Sequence, residues 1–371
     1  MTVTIRMGIG FLLWWSTAAV ADTEGVPAPP PDTGRSEILL DALDLWSNRA
    51  VQELQIEGAE SPSRATFAAL ENETYYAKTV FGALVTEAHR RNRPGHVEVT
   101  VGQDQLNSSR FRGEGSVDVI GRPSFIVEDA QMGLERDLWI SSDRAYLNAV
   151  KQYQVKSSAL SAHSGDPPPA DWTDSEPVVH QDEESPFQVN ADLLRSIALE
   201  VSGSMRSLEL RSAEAEVRQL DGRYYLVTTE GTRLVQHEGY AVVYVWADIL
   251  RDDGVRVSDH RQWVARRAED LPPVQEMTDQ ALAMGRSILQ RAAASTVPYY
   301  EGPVVFEDEA AAALLRYLAP TELCGTPPPP DEFRTYQELV RSGPRLGRRL
   351  LPRGWAVTDD PTDLPAGMAG G

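Results

Sequence analysis

The chain of 371 residues carries 55 acidic side chains against 35 basic ones, a formal net charge of −20. That charge excludes nucleic acid and anionic lipid as partners, because both would be repelled. With 42% apolar residues the chain can build ordinary cores, and its length allows two or more domains at ~100–200 residues each.

The N-terminus has three parts. One basic residue, Arg6, precedes the apolar run Met7 to Trp15, and small residues follow as far as Ala19-Val20-Ala21. This is the pattern of a secretory signal peptide over 1–21, cleaved before Asp22. The run is shorter than the ~20 apolar residues that cross a bilayer, so the expectation is an exported chain, periplasmic or extracellular. With a single cysteine, Cys324, no internal disulfide is possible and the cores must hold the fold.

A proline-rich lead-in, 22–36, opens the mature chain. Leu39, Leu43, Trp46, Ala50 and Leu54 then recur at helical spacing and predict a helix over 36–57, capped by Ser36. Strand signals follow at Ala65–Leu70, at Tyr75–Val85 with a break at Gly82, and at His96–Val101, where Val97, Val99 and Val101 share one face. The Gly-rich stretch Asn107–Phe125 predicts a loop, and Glu128–Leu160 a long helix with Trp139, Tyr146, Val150 and Tyr153 buried. Residues 37–162 thus form a first α+β domain.

Between Gly165 and Pro186 lie seven acids, five prolines and no Lys or Arg, which marks 163–186 as a solvated linker. A second α+β domain, 187–297, contains a helix at Ala191–Val201. Strands are expected at Arg206–Leu220, Tyr224–Thr229, Tyr240–Leu250 and Val255–Ala265, with turn chemistry at Asp221-Gly222 and at Asp252-Asp253-Gly254. Nearly every residue from Tyr240 to Trp246 is large and apolar, which predicts a strand covered on both sides. A helix over Met277–Ala294 closes this domain. A third segment, 298–357, begins with a short strand, Pro303–Phe306, and a helix, Asp308–Leu318; the Pro- and Gly-rich tail 358–371 does not pack. A faint internal echo places Tyr75-Tyr76 ahead of Gly82 and Tyr224-Tyr225 ahead of Gly231.

No catalytic constellation emerges from the residue pattern. A helical zinc-peptidase site needs two His one turn apart with a Glu as base. His237-Glu238 is the only His-Glu pair, and Ala241 and Val242 stand where a second ligand belongs. His89 and His96 flank Arg90-Arg91-Asn92-Arg93-Pro94, read as a turn with exposed bases whose charge opposes a metal; His260 beside Asp259 is explained by a surface hydrogen bond, and His180 lies in the acidic linker. Cys324 has no recognisable His partner and reads as a small apolar residue at a helix end. The sequons at Asn72 and Asn107 are ordinary chance matches. No residue is assigned to catalysis, to a cofactor or to a metal.

Three stretches resemble the TldD/PmbA family. Tyr300-Glu301-Gly302-Pro303-Val304-Val305-Phe306-Glu307, followed by Glu309-Ala310-Ala311-Ala312 and Leu314, is similar to the strand-helix junction at the entry to that family's C-terminal domain. Tyr225 to Thr232 is similar to its strand-turn with Glu-Gly-Thr, and Gln55-Ile56-Glu57 through Leu84 to the first-domain pattern of its exported members. The resemblance spans roughly 37–360. It implies an α+β fold with two antiparallel-sheet-plus-helix regions and the shortened start of a β-rich C-terminal domain. It also implies pairing of subunits, one of which carries the zinc motif that hydrolyses unfolded peptides. This chain lacks that motif. The expectation is therefore a non-catalytic, TldE-like subunit or pseudopeptidase that binds a peptide or a zinc-bearing TldD-like partner, as a homo- or hetero-oligomer without a cofactor of its own. The alternatives are a hydrolase with an unrecognised site and an inactive remnant.

Overall fold

The computed structural model describes residues 3–7, then 36–318 apart from 112, 128–129, 162–169 and 184, and finally 349, 353 and 355–359. The lead-in, Cys324, most of 319–354 and the tail beyond Asp359 lie outside the described residues.

Helix α1 (Ser36–Glu53) leads into β2 (Pro62–Val80), β3 (Ala83–Asn92), β4 (Gly95–Val101) and the two-residue β5 (Ile120–Gly121). Helix α2 (Gln131–Ser161) follows, then β6 (Val179–Gln181), α3 (Ala191–Ser204), β7 (Ser212–Thr228), β8 (Arg233–Leu250), β9 (Arg256–Ala265), α4 (Val274–Ala293) and α5 (Asp308–Leu318). A separate two-stranded sheet joins β1 (Val3–Met7) in parallel to β10 (Trp355–Asp359). Within the described residues no helix is long and apolar enough to cross a membrane.

Strands β2 to β9 form one mixed sheet of eight, almost wholly antiparallel, with only β6 running parallel to its neighbour β8. The two α+β regions are joined within it, since β2 pairs with β7 over the whole stretch from Thr66↔Thr228 to Val80↔Glu214 without a register shift. An approximate two-fold relationship organises the whole. Strands β3 and β4 lie end to end along β2 and make with it one long hairpin, as β8 does with β7. A helix precedes each hairpin, α1 or α3, and another follows, α2 or α4. The echo in the sequence falls on these hairpins: Gly82 (φ 75°) and Gly231 (φ 102°) occupy their turns, in a backbone region that favours glycine.

Alternation along unbroken strands puts every odd-numbered residue of β2, β7 and β8 on one face. That face carries two cores. Phe67, Ala69, Val97, Val99, Tyr225 and Val227 pack under α1 and α2, while Tyr75, Ala77, Val217, Val243 and Val245 pack under α3 and α4. The opposite face carries none of the four helices.

Several expectations are corrected here. Asp221-Gly222 is not a hairpin turn but the middle of β7, because β2 passes so close that a Cβ on Gly222 would meet the Glu71 carbonyl oxygen at 2.5 Å. The segments 65–70 and 75–80 are one strand, whose polar centre is satisfied residue by residue: Glu71 by Arg91 and Arg93, Asn72 by the Leu70 carbonyl and the Thr74 hydroxyl, Glu73 by His89. Strand Tyr240–Trp246 is covered on one side only: Ala241, Val243 and Val245 are buried, and Tyr240 is 38% exposed. On α2, Tyr146 is buried as expected, but Trp139 is 58% exposed because Leu134, Leu138, Ala145 and Ala149 supply the inward stripe. Residues 303–306 form no strand; Val305 is 79% exposed.

The linker is anchored along its described part. Asp171 accepts from the buried Lys156 Nζ (2.6 Å) and from the Asn107 N–H (2.8 Å). Burial pushes the Lys156 ammonium below its ordinary value, and the Asp171 charge opposes that shift. Arg64 binds Asp104, Asp174 and Glu230 and stands 5.0 Å over the Trp172 ring. The shallow cavity of about 430 Å³ that Arg64 lines with Gly102 and Asp104 therefore holds an arginine already engaged.

Candidate functional site: a polar waist and an open sheet face

Between the two cores the helix-side face of the sheet turns polar. One row across the strands reads Glu71, Arg223, His237 and the next Arg91, Glu73, Asp221, Gly239. Glu71 accepts from Arg91 at 2.5 Å and from Arg93 at 2.7 Å, with the Tyr225 hydroxyl at 3.4 Å. The Arg93 side chain is only 1% exposed and also donates to the Ile126 carbonyl. His89 Nε2 lies 2.7 Å from Glu73, its ring edge-on to Tyr75. The Tyr75 hydroxyl donates to Glu87, which Arg195 also holds; burial first, then Glu87, pushes that phenol well above its ordinary range.

A strap, 182–190, crosses this waist on its way from β6 to α3. The Gln188 N–H donates to Asp221, and Gln219 holds the strap by the Gln188 carbonyl and the Asn190 N–H. Two guanidiniums stand over the Phe187 ring, Arg223 at 4.6 Å and Arg91 at 5.5 Å. Asp182 accepts from the backbone N–H of His237 and from the His180 ring, and these bonds, the backbone one first, keep its carboxyl below the usual carboxylate range. Asn190 then caps α3 by accepting from the Leu193 N–H. The waist thus pairs its charges internally and ties strap, hairpins and helices together.

The sequence-level candidates fall as follows. His237 pairs with Asp221 at 2.7 Å on the helix side, whereas Glu238 points to the open face, since neighbours on a strand face opposite ways. The two therefore cannot serve one metal. His89 and His96 are on different strands, the latter 3.6 Å from Glu98. The His260 ring stacks on Tyr244 at 5.5 Å, and only its backbone N–H meets Asp259. No cluster of three or more metal-ligating side chains occurs among the described residues. Asn72 and Asn107, the two sequon positions, are buried. Arg91 and Arg93, expected in an exposed turn, are instead buried on Glu71. The missed signal was the two-residue spacing of Glu71/Glu73 and Asp221/Arg223, which on strands places each pair on a single face.

The open face has different chemistry. Its even-numbered residues include Tyr76, Tyr224, Tyr244 and Trp246, all half-buried, and the exposed Tyr240. Part of it is ordered by local pairs. Arg218 lies 5.6 Å from the Tyr76 ring, Arg256 lies 4.6 Å from Trp246, and Lys78 holds Glu214 at 2.6 Å and Glu216 at 3.2 Å. Asp248 is fully buried under Arg211 and Arg256. Together these make an aromatic floor with fixed charges.

Waist, strap and open face define an α+β protein built on one long-stranded sheet with helices on a single side. In fold it is similar to a candidate modulator of a DNA gyrase from Thermotoga maritima, at 12% identity and a TM-score of 0.42 over 68% of this chain. It is also similar to TldE from Thermococcus kodakarensis (12% identity, TM-score 0.40, 67% of this chain) and to a candidate gyrase modulator from Bacteroides thetaiotaomicron (11%, 0.39, 68%). The chain spans about half the length of these structures, 49%, 47% and 48% respectively. No family model and no curated protein sequence matches it.

Proposed function

We propose that this chain is an exported, TldE-like, non-catalytic binding protein that captures a polypeptide segment, or the chain of a zinc-bearing partner subunit, on the open face of its sheet. The observation that carries this reading is the aromatic floor of Tyr76, Tyr244 and Trp246, left half-exposed while all four packed helices cover the other face. Large aromatic surface of this kind dominates recognition energetics. The order of the family-like motifs along the sequence supports the assignment to a TldE-like subunit. The divergence of His237 and Glu238 onto opposite faces supports a role without zinc hydrolysis.

The test is incubation of the purified chain with an unstructured polypeptide in zinc-containing buffer. Binding with the polypeptide left intact is expected. Cleavage that a chelator abolishes would overturn the non-catalytic assignment, and failure to bind would overturn the binding assignment.

A further inference from the structure

We propose that the open face carries a site for an ammonium or guanidinium group, built by Glu238, Gln236, Tyr224 and Tyr240 at neighbouring positions of β7 and β8. This inference rests on the peptide-binding reading above and names what the site selects, namely the basic side chain of a bound segment.

Pairing sets the geometry. Gly222 on β7 lies directly across from Glu238 on β8, Tyr224 lies across from Gln236, and Tyr240 follows Glu238 by two residues on the same face. The glycine opposite the carboxylate brings no side chain of its own, and β2 fills the space beside it with the Glu71 carbonyl and Asn72. No other residue fits there, since a Cβ would meet Glu71 and Asn72. The carboxylate thus stands between two phenol-bearing positions of the same face, Tyr224 diagonally across the β7–β8 pair and Tyr240 two residues along β8.

None of the four side chains is hydrogen-bonded or ion-paired to another described residue. This sets them apart from the rest of the sheet. Glu71, Glu73, Glu87, Glu214, Glu216, Asp221 and Asp248 each meet a cation or a histidine. Two cations of the same face are engaged elsewhere, Arg218 with Tyr76 and Lys78 with its two glutamates. Burial, with no compensating charge, pushes the Glu238 carboxyl up, and burial then Glu238 itself pushes the Tyr224 hydroxyl up. A half-buried carboxylate left this way is costly, and a ligand cation restores what the fold withholds. The phenol faces add cation–π attraction, and the net charge of −20 draws basic segments toward the chain.

The experiment compares a short unstructured peptide carrying one lysine with the same peptide carrying norleucine, each titrated into wild type, Glu238→Gln and Tyr240→Leu and followed by calorimetry. Wild type should bind the lysine peptide roughly tenfold or more tightly than the norleucine peptide, the scale of a hydrogen bond to a charged group. Glu238→Gln should remove that preference while still binding both peptides, and Tyr240→Leu should reduce it. Equal binding of the two peptides to wild type, or an unchanged preference in Glu238→Gln, would overturn the site. Failure of every peptide to bind wild type would overturn the underlying peptide-binding reading, and the site with it.

Discussion

The Arg223 guanidinium stands 4.6 Å above the ring of Phe187, and Arg91 faces the same ring from 5.5 Å. A single aromatic side chain from the strap thereby covers two of the three arginines of the waist. Cation–π contacts are worth about 0.5–2 kcal/mol each when partly desolvated. Phe187→Ala should therefore loosen 182–190 while the sheet stays folded. Limited proteolysis should show faster cleavage within the strap and an unchanged far-ultraviolet spectrum. Cleavage at the wild-type rate would mean that the backbone bonds to Asp221 and Gln219 hold the strap by themselves.

At Gly222 the two hairpins pack tightly, with the Glu71 carbonyl oxygen 2.5 Å from where a Cβ would stand. Gly222→Ala must push β2 and β7 apart at the waist. A loss of ~1–3 kcal/mol is expected in urea unfolding, the usual cost of overpacking, in a single transition because both halves share the sheet. Gly254→Ala is the control. It has open space around it but a φ of 83°, so its cost comes from backbone strain alone.

The Lys156–Asp171 pair, 2.6 Å apart, has the ammonium wholly buried and the carboxylate nearly so. Asp171→Ala leaves that cation without its counter-charge and should cost about 3–5 kcal/mol. Lys156→Met together with Asp171→Ala should recover much of that loss, because the stranded charge is gone. Chemical denaturation of the two variants decides it; equal destabilisation would show that the pair contributes packing and not charge balance.

Glu238 gives a pH dependence whose sign is fixed. Its folded carboxyl is raised, by burial, above the unfolded one. Its contribution to stability is thus fully present below the ordinary glutamate value of about 4.3 and is lost as pH rises through the folded value. The stability of Glu238→Gln relative to wild type should grow across that rise and then level off. Tyr224, the other titratable group facing Glu238, changes charge only in the alkaline range and does not interfere. A difference that shrinks with rising pH would show that Glu238 is stabilised as a carboxylate by a partner.

How much of this was legible from residues alone follows from the physics of each part. Helices α1 to α4 and the alternation of Val97, Val99 and Val101 were readable because apolar periodicity reports burial directly. Asp221-Gly222 misled because turn chemistry describes local preference, while the close approach of β2 is a tertiary fact. Arg91 and Arg93 looked exposed because charge usually is; only the pairing of β2 with β3 brings Glu71 beneath them. The aromatic run from Tyr240 to Trp246 told of a rich strand but not that helices would cover only its odd-numbered side. In the sequence Glu238 reads as half of a zinc motif, and only the alternation of β8 puts it on the face opposite His237.

The proposed export rests on residues 1–21, of which the structure describes 3–7. The mature, soluble protein is expected to begin at or near Asp22 in intact-mass measurement. A folded product that retains Met1 would contradict the signal-peptide reading.

The central claim is capture of a polypeptide on the open face without hydrolysis. The most direct measurement titrates a fluorescently labelled, lysine-containing unstructured peptide into wild type and into Trp246→Asp with zinc present, and recovers the peptide for mass analysis. Trp246 is half-exposed on that face, opposite Glu214 and His260 and away from both cores. The account predicts saturable binding to wild type, binding weakened roughly tenfold or more in the variant, and intact peptide throughout. Equal binding by the folded variant, or peptide cleaved in a chelator-sensitive way, would contradict it.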